Sequence, residues 1–242
     1  MAEVLNKNAG LKKYGLTVGL IVAIETESLL KRYKDIMVPV EVKGWEVWTF
    51  KKGDVTVYAI NSRAGTIRAA AATQLLITKF DVDLIVNYGV AGAIRPEIAV
   101  VDTCVVEGVV HYEMDVTPDG MEPGEYFDYR MKVFKTDERF VKAAEDMGIR
   151  KVMLASGNRY VVDPDEKRKL AEDFDCDICE MEGAGIAITC FKNEVPCLMI
   201  KTISDSLEGG DAEYQEMEER AADVCLGYVD ELIEKVAEVH AE

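Results

Sequence analysis

Val18-Gly19-Leu20-Ile21-Val22-Ala23-Ile24-Glu25-Thr26-Glu27 decides the fold. The apolar run is too short to span a membrane and too unbroken for a half-exposed strand, so it reads as a strand buried on both faces. It stops at acids. The same pattern recurs at 83–88, followed by Gly89-Val90-Ala91-Gly92, and again in Cys197-Leu198-Met199-Ile200-Lys201-Thr202-Ile203-Ser204-Asp205. Glu180-Met181-Glu182-Gly183-Ala184-Gly185 sets two more carboxylates just ahead of a helix-like stretch. Buried runs that end in acids are the pattern of an α/β sheet whose strand ends line a cleft. Glu27, Glu182 and Asp205 are therefore the candidate catalytic acids, since carboxyls held in a cleft can exchange protons near neutral pH.

Outward from these runs the periodicity predicts strands at 16–24, 83–88, 103–110 and 196–203, with an extended stretch at 151–155. Helices are expected at 27–37, 66–79, 137–147, 164–173, 183–192 and 212–239. Alternating stretches at 45–50 and 54–61 flank Lys52-Gly53-Asp54, a hairpin signal. Residues 115–125 hold Pro118, Gly120, Pro123 and Gly124 and should form an irregular loop. The expected fold class is α/β: a single domain over 16–242, with a central twisted mixed, mostly parallel sheet flanked by helices. Residues 1–15 are expected to be a loose N-terminal segment.

The chain has 242 residues, 49% hydrophobic and 30% charged, enough for a sizeable core. Its net charge of −17 argues against nucleic-acid binding and against an anionic membrane surface. No apolar run reaches the ~18 residues of a membrane helix, and Met1-Ala2-Glu3-Val4-Leu5-Asn6-Lys7-Asn8 does not look like a secretory signal. A cytoplasmic location is the expectation. Cys176-Asp177-Ile178-Cys179 has the spacing of a metal knuckle or a redox pair, but a zinc site needs a second ligand pair, none matches it, and His111 and His240 each stand alone. No metal and no cofactor are expected, and the cysteines read as core residues.

Gly89-Val90-Ala91-Gly92 is neither a dinucleotide fingerprint nor a P-loop; it implies close approach of the backbone to a ligand or a packed helix. Ser156-Gly157 and Ser204-Asp205 lack a nucleophile elbow. Capping is the ordinary use of acids near helix starts, yet Asp205 precedes no obvious helix and Glu27 is a mediocre first-turn acid. Glu180 and Glu182 would lie on one face of an extended backbone. There they would repel unless a cation or sugar hydroxyls bind between them.

Taken in order, these segments, together with Asn87-Tyr88-Gly89, Asp115-Val116-Thr117 and Ala155-Ser156-Gly157-Asn158-Arg159-Tyr160-Val161, resemble the purine nucleoside phosphorylase/uridine phosphorylase superfamily. Within it the 5′-methylthioadenosine/S-adenosylhomocysteine nucleosidases are most similar, from about Leu16 to Val239. The resemblance implies a phosphorylase/hydrolase-like fold and hydrolysis of a purine nucleoside at its N-glycosidic bond. It implies that Glu27 handles the attacking water, that Glu182 holds ribose hydroxyls with Met181 packed on the sugar, and that Asp205 protonates N7 of the base. Tyr160 would stack on the purine and Val161 meet its edge. Val90, Ala91, Gly92, Glu180, Lys201 and Ser204 complete the implied substrate site. Met121, beside Gly120, would reach into a neighbouring subunit's site, so a homodimer or higher oligomer is implied.

Breaking the bond builds positive charge on the sugar and negative charge on the base, which carboxylates and an acid respectively offset. Asp205 has to carry a proton at the moment of transfer, which a dry pocket favours. Related phosphorylases carry a Gly-Asp-x-x-Arg turn after the first strand. Here acids stand in that stretch, and a carboxylate repels phosphate, so hydrolysis is the expectation. Arg63 and Arg68 lie near enough in sequence to leave a phosphorylase of the same fold as the alternative. Val90 replaces the nucleosidases' serine, Lys201 their arginine, Asn158 their aspartate and Tyr160 their phenylalanine. Because Val90 and Lys201 alter the water site, a catalytically weak nucleoside-binding or storage protein is a further alternative.

Overall fold

The computed structural model describes residues 15–241, with side chains through Val239. All but the last residue of the segment expected to be loose lies outside the described residues.

Each long apolar run becomes an interior strand. β1 (Thr17–Val22), β5 (Leu84–Ala93) and β10 (Cys197–Asp205) are buried throughout and run parallel, with β5 between the other two. The hairpin forms as β3 (Trp45–Lys52) and β4 (Val55–Asn61), with β4 parallel to β1. Beyond it lies an unexpected edge strand, β2 (Val38–Val42). Pro39 argues against a strand within its alternating valines; an edge position tolerates the missing N–H.

On the other side β6 (Thr103–His111) is antiparallel to β10 and pairs with β7 (Val133–Lys135) and β8 (Arg150–Ser156). The three-residue β9 (Ile178–Glu180) joins β8 to the end of β5. The sequence β5-β10-β6-β8-β9 therefore returns to β5, and these five strands close on themselves. The sheet is mixed, as expected. β5 does not halt at Gly89: it runs on to Ala93, because Lys201 and Asp205 of β10 pair with Gly89 and Gly92.

The helices are α1 (Thr26–Tyr33), α2 (Thr66–Phe80), α3 (Glu138–Glu145), α4 (Pro164–Phe174), α5 (Gly183–Asn193) and α6 (Gly210–Ala241). Alternate residues of β1 serve opposite layers. Val18, Leu20 and Val22 pack with Leu29, Phe140, Leu226 and Ile233 from α1, α3 and α6. Ile21 packs with Ala72, Leu76 and Ile186 from α2 and α5. Each such fully buried aliphatic side chain contributes about 1.5–3 kcal/mol. α1 is shorter than expected and starts at Thr26, which matters for the acids. Among the described residues no helix is long and apolar enough to cross a membrane.

Candidate active site

A cleft of about 530 Å³ opens at the carboxyl ends of β1, β5 and β10, where open α/β sheets place ligands. Its lining includes Val90, Ala91 and Gly92 from β5, Ser204 and Asp205 from β10, and Glu180, Met181 and Glu182 between β9 and α5. Tyr160 and Val161 line it as well. Met121, expected at a neighbouring subunit's site, is buried in its own chain with Arg130 Nη1 3.2 Å from its sulfur. Two residues expected at this cleft lie elsewhere. Lys201 is buried behind Glu180 instead of lining the cleft. Glu27 is exposed on the first turn of α1, in a separate shallow groove with Leu30 and Arg63.

Glu25 takes the place expected for Glu27. It is the residue before α1, at φ −79° and ψ 21°, so its side chain turns back over the strand ends while the first helical turn carries Glu27 outward. Its Oε1 accepts the Val90 N–H at 2.8 Å and its Oε2 the Ile24 N–H at 3.0 Å. Gly89 makes room: a Cβ there would stand 2.6 Å from Oε1. At Gly92 a Cβ would lie 2.9 Å from Asp205 Oδ2. The two glycines let carboxylates press on β5 from both ends of Gly89-Val90-Ala91-Gly92.

Glu180 and Glu182 do share the cleft, and a cation does separate their roles. Lys201 Nζ donates to Glu180 Oε2 at 2.9 Å, and the Glu182 and Gly183 amides also bond the Glu180 carboxylate. Burial alone would raise the Glu180 pKa, but Lys201 and these donors hold it below the ordinary range. Glu182 has no such partner. Its Oε1 accepts the Gly65 N–H at 2.9 Å, while burial and then the neighbouring Glu180 charge push its pKa up to about 8. Below that pH it is a neutral carboxyl, able to donate as well as accept.

This shift sets an expected pH dependence of stability. Between about pH 4.3, where an unfolded Glu releases its proton, and about 8 the folded chain keeps a proton on Glu182 that the unfolded chain has lost. The Glu182 contribution to stability therefore declines as pH rises through that window and is level above it. Thermal melts of Glu182→Gln across pH 5–9 (roughly the window set by these values) should show a shallower decline than the parent protein; an unchanged slope would contradict the assignment.

Asp205 is held from two sides. Ser204 Oγ donates to Oδ1 at 2.7 Å, and Lys167 Nζ donates to Oδ2 at 2.5 Å. At the cleft mouth Tyr160, 48% exposed, meets Tyr214 edge-on with centroids 5.1 Å apart, and its hydroxyl donates to Asp211 at the start of α6. Asn158 serves structure: its Oδ1 accepts from the Thr66 N–H and hydroxyl at the start of α2. Sequence reasoning missed Glu25, Tyr214 and Lys167. Placing the helix start at Thr26 would have exposed the first, but a lysine in a charge-rich helix carries no sign of burial.

A profile of the phosphorylase superfamily matches residues 13–234. The chain belongs to the phosphorylase superfamily. Within this superfamily it is 30% identical over 198 residues to the 5′-methylthioadenosine/S-adenosylhomocysteine nucleosidase of Hydrogenovibrio crunogenus, covering 78% of this chain and 85% of that protein. It is 29% identical over 187 residues to the aminodeoxyfutalosine nucleosidase of Campylobacter jejuni, covering 72% and 79%. The crystal structure of the Helicobacter pylori 5′-methylthioadenosine/S-adenosyl homocysteine nucleosidase superposes with a TM-score of 0.87 over 92% of this chain and 100% of that one. At 20% identity that likeness speaks to the fold.

Proposed function

We propose that this superfamily member hydrolyses the N-glycosidic bond of a purine nucleoside, with 5′-methylthioadenosine or S-adenosylhomocysteine as the substrates suggested by the names of its relatives. The observation that carries hydrolysis over phosphorolysis is the Glu25 carboxylate seated on the Val90 amide at 2.8 Å. A backbone N–H that could have cradled an anion is already occupied by one, so phosphate is repelled while a water molecule beside Glu25 gains an acceptor.

In this reading the purine lies against Tyr160 with its edge at Val161, and the ribose rests on Met181 with its hydroxyls at Glu182. Asp205 delivers a proton to N7 as the bond to the sugar breaks, and Glu25 takes one from the attacking water. Glu182, neutral at rest, keeps its proton throughout: its carboxyl accepts from one ribose hydroxyl and donates to the other. The acceptor oxygen is turned to the positive charge that grows on the ribose, which stabilises the transition state more than the ground state. Glu180 and Lys201 support the site from behind.

Incubation with a nucleoside panel, with and without phosphate, tests the reading: free base and free sugar should appear at a rate independent of phosphate, and a phosphorylated sugar would overturn it. Glu25→Gln should lower kcat by about 10²-fold, the lower end of acid–base contributions, while Glu27→Gln leaves it unchanged. The reverse result would restore Glu27 to the site.

The proposal includes a homodimer, for which exposed Ile67, Phe127 and Phe191 offer apolar surface. It also includes a cytoplasmic location, which the unpaired buried thiols of all six cysteines suit.

A further inference from the structure

Lys167 has no part in the reading above. It lies on α4, which Asp163 caps by accepting the Asp165 and Glu166 amides, and its neighbours Asp165 and Lys169 face solvent. Lys167 itself is 0% exposed. Its ammonium donates to Asp205 Oδ2 at 2.5 Å and to the Ser206 carbonyl at 2.7 Å. A buried ion pair is weak evidence for stability, because apolar residues of similar volume usually serve a core at least as well. A cation placed directly behind a cleft carboxylate therefore points to use.

The hydrogen bonds on the other oxygen agree. Ser204 Oγ lies 2.7 Å from Asp205 Oδ1 and 3.3 Å from the Ala91 carbonyl, yet a serine has one hydroxyl proton. Ser204 can donate to Asp205 when the latter is a carboxylate, or turn to Ala91 and accept from Asp205 when it is a carboxylic acid. Both protonation states of Asp205 thus keep satisfied partners.

We propose that Lys167 is a positioning residue that holds Asp205 at the cleft and supplies, through its carboxyl group, the proton taken up by N7 of the departing base. This rests on the nucleosidase reading and deepens it. The Lys167 ammonium gives a proton to the carboxylate, and the carboxyl so formed gives it to N7. The C1′–N9 bond breaks with its electron pair passing to the base; the oxygen of water bonds to C1′, and its surplus proton goes to Glu25. After release Glu25 loses that proton to solvent and the Lys167 amine regains one.

The test compares Lys167→Met and Lys167→Arg with the parent protein on two substrates. One is 5′-methylthioadenosine; the other is 4-nitrophenyl riboside, whose phenolate leaves without a proton. Lys167→Met should lower kcat on the purine nucleoside by about 10²-fold, in the range of a lost acid, with KM little changed, and should spare the nitrophenyl riboside. Lys167→Arg keeps the charge but holds its protons, so the same split is expected with a parent-like melting curve. Equal losses on both substrates, or full activity of Lys167→Arg on the purine nucleoside, would overturn the proposal and leave the nucleosidase reading standing. If the parent protein releases no base, both fall.

Discussion

Asp205→Asn should lower kcat for purine release by about 10²–10⁴-fold, the span of a general acid, while KM changes little. Asparagine keeps the shape and an oxygen to accept from Lys167, so the cleft walls at Gly92 and Ser204 stay in place. What it cannot do is hand a proton to the leaving base. The departing purine would then carry its negative charge unrelieved, and that charge is greatest in the transition state, so the loss falls on kcat and not on ground-state binding. Steady-state kinetics on 5′-methylthioadenosine would measure it. A large rise in KM with kcat intact would mean that Asp205 only binds the base.

The second large effect is on stability. Lys201 and Glu180 have side chains 1% and 4% exposed and form a pair 2.9 Å apart beneath the cleft. Removing either partner strands a buried charge, which costs about 3–5 kcal/mol, a large share of the ~5–15 kcal/mol that holds a typical domain folded. Lys201→Met alone, and Glu180→Gln alone, should each move the urea midpoint down sharply. The double substitution should recover most of the loss, because neither charge then remains to be desolvated and the glutamine oxygen still accepts from the Glu182 and Gly183 amides. Additive losses in the double variant would contradict this. Glu180 is held below its ordinary pKa range, so its stabilising share is present above about pH 4.3 and fades as pH falls through the lower folded value.

The strands that build the cleft were legible because burial on both faces leaves unbroken apolar runs, as in β1 and β10. Asp205 and Glu182 were legible because they stand where such runs or a helix start break off. The first acid was misplaced by two residues: Glu25 and Glu27 have the same chemistry, and only the turn into α1 decides which one faces inward. Lys201 was expected to touch substrate, but its neighbours on an all-buried strand give no hint that Glu180 shields it. Lys167 could not be read at all, since its burial depends on where α4 packs against the end of β10. Pro39 hid an edge strand, and β9 is too short to carry a period.

The closure of β5, β10, β6, β8 and β9 upon themselves bears on how a ligand gets in. A circle of hydrogen-bonded strands has no seam along which it can part, and β1 is laced to β5 outside it. The floor bearing Glu180 and Asp205 therefore presents no free strand edge to the cleft. The contacts at the rim are of a lighter kind, an edge-on meeting of Tyr160 with Tyr214 and a single hydroxyl tie to Asp211.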